Sequence, residues 1–253
     1  MGTNILNLLD NKNVEIVTEN EQAGVTVIKM LKDLSLSKAE AMTEYYAAKM
    51  NVCKRQVIIS LNNNKWTVSA GAMQVMVGNV SVETGVKSAG DLMRKAFGGA
   101  VTGERGIKPE YTGDGILILE PTYKHIIIED IRDWGGGMVM NDGYYYASVG
   151  LTLKTTPISS VSGALLGGEG LFNLGVHGNG VCLLESPCPR EELVTIELDN
   201  DVLKIDGNYA VCWSPSLNFT VERTTKTLVG SAASGEGLVN VYRGTGRVMM
   251  ALV

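Results

Sequence analysis

Three glycine pairs, spaced almost evenly along the chain, constrain its fold more than any other feature of the sequence. A Gly-x-Gly triplet followed by apolar residues begins at Gly113, at Gly178 and at Gly244, so the first glycines are 65 and 66 residues apart. Because glycine adopts positive φ at little steric cost, we interpret each triplet as a turn that leads into a strand. Recurrence at a fixed period indicates tandem structural repeats.

Two further landmarks recur in the same order. A Gly-Glu pair precedes each triplet by 10, 10 and 9 residues. An apolar strand that ends in a glycine turn opens each unit. The pairs contain Glu104, Glu169 and Glu236, and the turns fall at Gly71, Gly143 and Gly207. The sequence therefore predicts a mainly β protein of three tandem, pseudo-threefold β units of about 65 residues, at 55–121, 122–187 and 188–253. We name these ranges unit 1, unit 2 and unit 3.

Residues 1–54 differ from the units and form a predicted N-terminal extension packed on them. Residues 25–28 have the composition of a strand. The sequence from Ser37 to Glu40 is a capping box, which predicts a helix over 38–50 whose apolar face carries Ala41, Tyr45 and Ala48. A second helix is predicted over 88–97, within unit 1.

Charge and cysteine content exclude several classes of function. With 27 acidic and 22 basic residues, the net charge of −5 argues against binding driven by phosphate contacts. Basic residues gather in unit 3, but Glu222 and Glu236 lie among them, so a solvated face is expected: Arg223, Lys226, Arg243 and Arg247. No apolar run approaches a membrane span, and no secretory signal is visible. Four cysteines lack metal-ligand spacing and suit buried free thiols in the cytoplasm: Cys53, Cys182, Cys188 and Cys212.

A family resemblance rests on three short stretches. The sequences at 167–172 (GGEGLF), 234–239 (SGEGLV) and 243–248 (RGTGRV) resemble the altered-inheritance-of-mitochondria, or mitochondrial biogenesis, family, in particular a bacterial cytoplasmic branch. The resemblance extends from about residue 55 to the C-terminus. It implies a triplicated fold similar to the tryptophan RNA-binding attenuator protein, a short double-stranded β-helix. The family has no established enzymatic activity or cofactor, so the resemblance supplies no site residues.

The sequence offers few groups for catalysis or metal binding. His125 and His177 lie in separate halves of unit 2 with no ligand spacing around them, which favours structural roles. The repeated Glu104, Glu169 and Glu236 allow two readings. Each glutamate accepts backbone N–H groups in a tight turn, or the three converge as a cation site. We expect no catalytic, cofactor or metal site.

The hypothesis that follows is a non-enzymatic scaffold or interaction protein that acts as a homo-oligomer. The alternatives are a small-ligand or RNA-binding module of the attenuator type, and an unrecognised enzyme that uses the repeated glutamates. Strand edges left by triplicated units need a partner, and the apolar residues 248–253 are the predicted exposed edge.

Overall fold

The computed structural model describes residues 4–85, 108–141, 143–157, 172–223 and 238–252. This part of the chain is mainly β, as the sequence predicts, and its strands pair in one large antiparallel sheet. The strands are β1 (Val14–Asn20), β2 (Val25–Met30), β3 (Arg55–Val68), β4 (Met73–Glu83), β5 (Glu110–Leu119), β6 (His125–Asp130), β7 (Gly137–Met140), β8 (Tyr145–Pro157), β9 (Phe172–Ser186), β10 (Leu193–Asp206), β11 (Ala210–Trp213), β12 (Asn218–Arg223) and β13 (Leu238–Ala251).

The N-terminal extension joins the units through its strands. β1 and β2 form a hairpin, and β2 continues the sheet by pairing with the first half of β3. Helix α1 (Ala41–Lys49) follows and begins later than the predicted residue 38. The Glu40 carboxylate accepts a hydrogen bond from the Ser37 backbone N–H at 3.1 Å, which is one half of a capping box, but the N-cap of α1 is Glu40 and no side chain caps it. None of the α1 side chains is buried, so the expected packing of its apolar face on the units is not observed. The predicted helix at 88–97 lies outside the described residues.

Each unit contains one long strand with partners on both sides. β5 lies between β3 and β4 in unit 1. β9 pairs with β6 and β7 on one side and with β8 on the other. β13 pairs with β10 on one side and with β11 and β12 on the other. We call β5, β9 and β13 the central strands. The pseudo-threefold arrangement of the units stays a prediction.

The Gly-x-Gly triplets are not turns, which corrects the interpretation from sequence. Each lies inside a central strand, and the first glycine has φ of +130° at Gly113, +134° at Gly178 and +119° at Gly244. A positive φ bends the strand without reversing it. The neighbouring strand comes so close that a Cβ built on Gly113 would lie 2.1 Å from the Asn79 carbonyl oxygen. Glycine is therefore required both for the backbone conformation and for the close approach.

The strand opposite each triplet is interrupted as well. In β3 and β10 the register shifts at Asn63 and Asn200, which have φ of +52° and +50°. Asparagine tolerates this left-handed conformation better than most residues. In unit 2 a 3₁₀ helix, Ile131–Trp134, separates β6 from β7 at the corresponding place, and the Asp130 carboxylate caps it. The break lets the paired strands bend together at the triplet.

In each unit we call the strand before the predicted glycine turn the first strand (β3; β6 with β7; β10) and the strand after it the second strand (β4; β8; β11 with β12). The three predicted glycine turns are confirmed. Gly71, Gly143 and Gly207 have φ of +77°, +86° and +93°, and β4, β8 and β11 begin shortly after them. The strands before and after each turn are both antiparallel to the central strand, so the turn leads the chain to the other side of that strand. After each turn a backbone N–H near the end of the central strand donates to a turn carbonyl. The donors and acceptors are Glu120 to Ala72, Glu185 to Tyr144 and Ala251 to Tyr209, at 2.7, 2.8 and 2.9 Å.

Neighbouring units are joined by two short strand pairings, which we call the junctions. At the first junction, the end of β3 pairs with the start of β8, as at Thr67 and Ser148. At the second, β7 pairs with β11, as at Val139 and Trp213. The apolar cores extend across them: the core of unit 1 includes Ala147 of unit 2. Full burial of large apolar side chains across a junction contributes about 1.5–3 kcal/mol each.

Candidate functional site

The three repeated glutamates cannot be located as a site. Glu104, Glu169 and Glu236, with the Gly-Glu pairs that contain them, lie outside the described residues. Within the described ranges, no group of three or more His, Cys, Asp and Glu side chains could hold a metal ion. Both readings of the glutamates, turn and cation site, stay predictions.

The two histidines do not come together. His125 pairs with Ser186 at the end of β9, whereas His177 lies nine residues earlier on the same strand. At about 3.3 Å per residue the two rings are separated by roughly 30 Å along the strand. Burial, followed by the nearby Arg55 guanidinium, lowers the pKa of His125 and keeps this imidazole neutral. The two histidines therefore do not form a pair in a common site.

The cysteines are free and buried, as the sequence predicts. Burial raises the pKa of the Cys182 and Cys212 thiols, and the nearby Glu129 carboxylate raises both further. Glu129 is itself buried; its Oε2 accepts a hydrogen bond from Trp134 Nε1 at 2.9 Å. Its Oε1 lies 3.1 Å from Arg190 Nε. The arrangement suppresses thiolate formation, which is the reverse of what a nucleophilic cysteine requires.

Thiol reactivity gives a first test of this arrangement. We expect the native protein at pH 8 to react with a thiol-specific disulfide reagent at least about a hundredfold more slowly than the unfolded protein, because all four thiols are buried. Unfolding in guanidinium should release four reactive groups. Rapid stoichiometric reaction of a thiol in the folded state would contradict the burial described here.

Two of the four basic residues singled out in unit 3, Arg243 and Arg247, are held by other groups. Arg243 forms a bidentate ion pair with Glu222, with nitrogen–oxygen distances of 2.5 and 2.8 Å, and this pairing lowers the pKa of Glu222 to about 2. The Arg247 guanidinium stacks on the Trp134 ring at 4.1 Å and donates to the Asp133 carbonyl. Lys226 lies outside the described residues. Arg243 and Arg247 are therefore both engaged in contacts within the chain, as expected for a solvated face rather than an RNA site.

A polar cleft of about 440 Å³ lies beside the first junction, between units 1 and 2. Lys124 Nζ lies 3.1 Å from the Glu185 carboxylate on its wall, and Lys108 Nζ lies 5.3 Å from the centre of the Tyr145 ring. The Tyr146 hydroxyl donates to the Glu120 carbonyl oxygen at 2.8 Å, and burial raises its pKa. Charges of both signs therefore line a cavity large enough for a small molecule.

Arg55 anchors the N-terminal extension and was not singled out from the sequence. Its guanidinium is buried and donates to the carbonyl oxygens of Asn51 at 2.9 Å, Cys53 at 3.0 Å and Tyr123 at 3.3 Å. Burial lowers its pKa. These bonds link the chain after α1 to the connection between units 1 and 2. An isolated arginine at the start of a strand carries no sequence signal for such a role.

Five strands pair along one side only in the described part of the chain: β1, β4, β6, β10 and β12. Two of these, β4 and β10, are the second strand of unit 1 and the first strand of unit 3, which the junctions do not use. We call them the β4 edge (73–77) and the β10 edge (203–206). β4 pairs with β5 alone, and β10 pairs with β13 alone. Val75 and Met76 on the β4 edge are 39% and 40% exposed. An unpaired strand with exposed apolar side chains is a template for adding another strand.

The predicted edge at the C-terminus is wrong. Residues 248–251 belong to the central strand β13, which has partners on both sides, and their side chains are buried. Apolar side chains are instead exposed on β4 and on α1, where Met42, Tyr45, Tyr46 and Met50 face solvent. No helix within the described ranges has the length and apolar character needed to cross a membrane.

Comparisons with known proteins agree with the architecture. A crystal structure of a Streptococcus pyogenes protein, solved by a structural genomics consortium, is similar with a TM-score of 0.60 and 24% identity, over 81% of this chain and 90% of that chain. This likeness shows the fold alone. A second Streptococcus pyogenes relative, described as uncharacterized, is 28% identical over 186 residues, which is 70% of this chain and 73% of the relative.

These features define a mainly β protein built on one large antiparallel sheet. Residues 49–251 match the family described as mitochondrial biogenesis AIM24, and the chain belongs to that family. The family resemblance drawn from the glycine-rich stretches is thereby confirmed. The likeness to the tryptophan RNA-binding attenuator protein stays a prediction.

Proposed function

We propose that this chain is a non-enzymatic interaction protein of the cytoplasm that acts as a homo-oligomer. The observation that carries the proposal is that β4 in unit 1 and β10 in unit 3 each pair along one side only in the described part of the chain. Backbone N–H and C=O groups along such edges gain partners when another strand is added, and Val75 and Met76 leave water at the same time. In a homo-oligomer, the added strand comes from a second copy of the same chain.

The described chemistry supports a role without catalysis. Burial raises the pKa of the Cys182 and Cys212 thiols, the two histidines do not form a pair, and Arg243 and Arg247 are engaged in an ion pair and in stacking. Enzymes instead concentrate groups with shifted pKa values in an accessible cleft. Four buried free thiols also suit a reducing compartment, which supports the cytoplasm.

Light scattering coupled to size exclusion tests the oligomer directly. We expect a mass above the 27.1 kDa of one chain at micromolar concentration, and an increase in mass as the concentration rises. A constant mass of 27.1 kDa from about 1 to 100 µM would contradict the proposal, because strand addition between copies obeys mass action.

The polar cleft beside the first junction favours a second candidate, a small-ligand binding module. Its paired Lys124 and Glu185 would suit a zwitterionic molecule that replaces their mutual contact. A thermal-shift screen of amino acids and related zwitterions, with a Lys124→Gln variant as the control, tests this candidate. Stabilisation of the native chain that the variant loses would support ligand binding at the cleft.

A further inference from the structure

We propose that the β4 edge of one copy pairs with the β10 edge of a second copy, in the register that joins the units inside the chain. The inference rests on the proposed function, since it names the surfaces through which copies associate. It predicts that Met76 of one copy lies opposite Lys204 of the next, and that Val75 lies opposite Ile205.

The two junctions share one register. At the first junction Thr67 pairs with Ser148 and Val68 with Ala147. At the second, Val139 pairs with Trp213 and Met140 with Cys212. The next backbone bond is also shared: Ser69 N–H donates to the Tyr146 carbonyl at 2.8 Å, and Asn141 N–H donates to the Val211 carbonyl at 3.4 Å.

The Gly-x-Gly triplets identify the corresponding positions in each unit. Thr67 pairs with the residue three places before the first glycine of its central strand, and Val139 and Lys204 do the same in units 2 and 3. These three residues therefore occupy corresponding positions on the first strands. Ile205 likewise corresponds to Met140, since each pairs with the residue four places before the glycine.

The second strands correspond in the same way. Val75, Ala147 and Cys212 each pair with the residue five places after the first glycine of their central strand. In all three strands a register shift of one residue immediately precedes this position. Met76 therefore corresponds to Ser148 and Trp213, the residues that meet Thr67 and Val139 at the two junctions.

Three first strands and three second strands provide for three junctions, and the described residues form two. The two junctions use β3 with β8 and β7 with β11, which leaves β4 and β10. At the junctions the second-strand residues are buried: Ala147 and Cys212 are 0% exposed. Val75, at the corresponding place on β4, is 39% exposed and has no strand on its outer side among the described residues.

The proposed contact joins two different surfaces of the same chain. Such a head-to-tail contact produces either a closed ring or an open-ended row of copies, depending on the rotation between neighbours. Each added copy leaves one β4 edge and one β10 edge at the ends, so association continues until the ends meet. In a competing arrangement, the β4 edge pairs with the β10 edge of the same chain. The experiment below distinguishes pairing within one chain from pairing between two copies.

Cysteine cross-linking between two variants tests the contact. Met76→Cys and Lys204→Cys replace exposed side chains, and the four native cysteines are buried. Residues directly opposite in antiparallel strands have Cα atoms about 4.5–5.5 Å apart, which disulfide geometry accepts. When the two variants are mixed and oxidised, we expect a disulfide-linked dimer that contains one chain of each. Neither variant alone should form it.

Matched controls use the other halves of the same strands. Val82→Cys on β4 and Val194→Cys on β10 are similarly exposed, but the shared register leaves them apart. Their mixture should form about tenfold less dimer, because a disulfide requires Cα atoms within roughly 7 Å. Equal yields in both mixtures would show collisional cross-linking and overturn the inference.

The remaining outcomes separate this inference from the proposed function. Dimers of Met76→Cys with itself would show symmetric pairing of two β4 strands and overturn the proposed register. A disulfide within one chain of the double variant would show that the chain closes on itself. Absence of the mixed dimer from a wild type that is oligomeric by light scattering refutes the edge contact alone. A monomeric wild type refutes both.

Discussion

Replacement of Gly113 by alanine is expected to lower the free energy of unfolding by about 3–5 kcal/mol, one of the largest effects predicted for a single methyl group in this chain. Gly113 has φ of +130°, and its new Cβ would lie 2.1 Å from the Asn79 carbonyl oxygen. Backbone strain and a backbone clash therefore add together. Urea denaturation followed by circular dichroism measures the loss, or shows that the variant does not fold.

Gly71→Ala is the matched control for this prediction. Gly71 also has a positive φ, +77°, but nothing lies within 4 Å of its ideal Cβ position. Only the conformational cost of about 1–2 kcal/mol is expected. If Gly113→Ala lost no more stability than Gly71→Ala, the close approach of β4 and β5 at the triplet would be contradicted.

Replacement of Arg55 by methionine is expected to lower the free energy of unfolding by about 3–5 kcal/mol. The substitution keeps an unbranched side chain but removes the donor to three carbonyl oxygens, and each buried acceptor left unpaired costs about 1–3 kcal/mol. The expected loss is smaller than the sum of three such costs if water hydrogen-bonds to one of the carbonyl oxygens. Because two of the acceptors lie just after α1, limited proteolysis should also cleave the N-terminal extension faster in the variant.

Lys65→Met is the control on the same strand. Lys65 forms an exposed ion pair with Glu110 at 3.0 Å, so its removal should change stability by no more than about 0.5 kcal/mol. Arg55→Lys should fall between the two, since one ammonium group cannot reach acceptors on separate segments as the guanidinium does. Equal stability of Arg55→Met and Lys65→Met would contradict the anchoring role.

Glycine periodicity predicted the β class and the positions of the central strands because backbone conformation at those points admits little else. It did not predict whether the chain turns or continues as a strand at the Gly-x-Gly triplets. A glycine with positive φ suits both a hairpin turn and a bend within a strand, and local sequence does not distinguish them. Gly113, Gly178 and Gly244 were therefore interpreted as turns, although the structure places them inside continuous strands.

The candidate interaction site was not predictable from the sequence for a related reason. The run Val75-Met76-Val77 and the run Val248-Met249-Met250 are similar in composition, yet the first lies at an edge and the second at the centre of the sheet. Which strand is left unpaired depends on long-range pairing between units. The existence of α1 depends on local sequence and was predicted, whereas the exposure of its apolar face depends on tertiary structure and was not.

The central claim is that copies associate through the β4 and β10 edges, and a charge substitution with its rescue tests it most directly. Met76→Lys places a second ammonium opposite Lys204 of the next copy, and we expect light scattering to give the 27.1 kDa of a monomer. Val82→Lys, elsewhere on β4, should keep the wild-type mass. Adding Lys204→Glu to Met76→Lys should restore association through an opposite-charge pair. An unchanged mass for Met76→Lys, or no rescue by Lys204→Glu, would contradict the account.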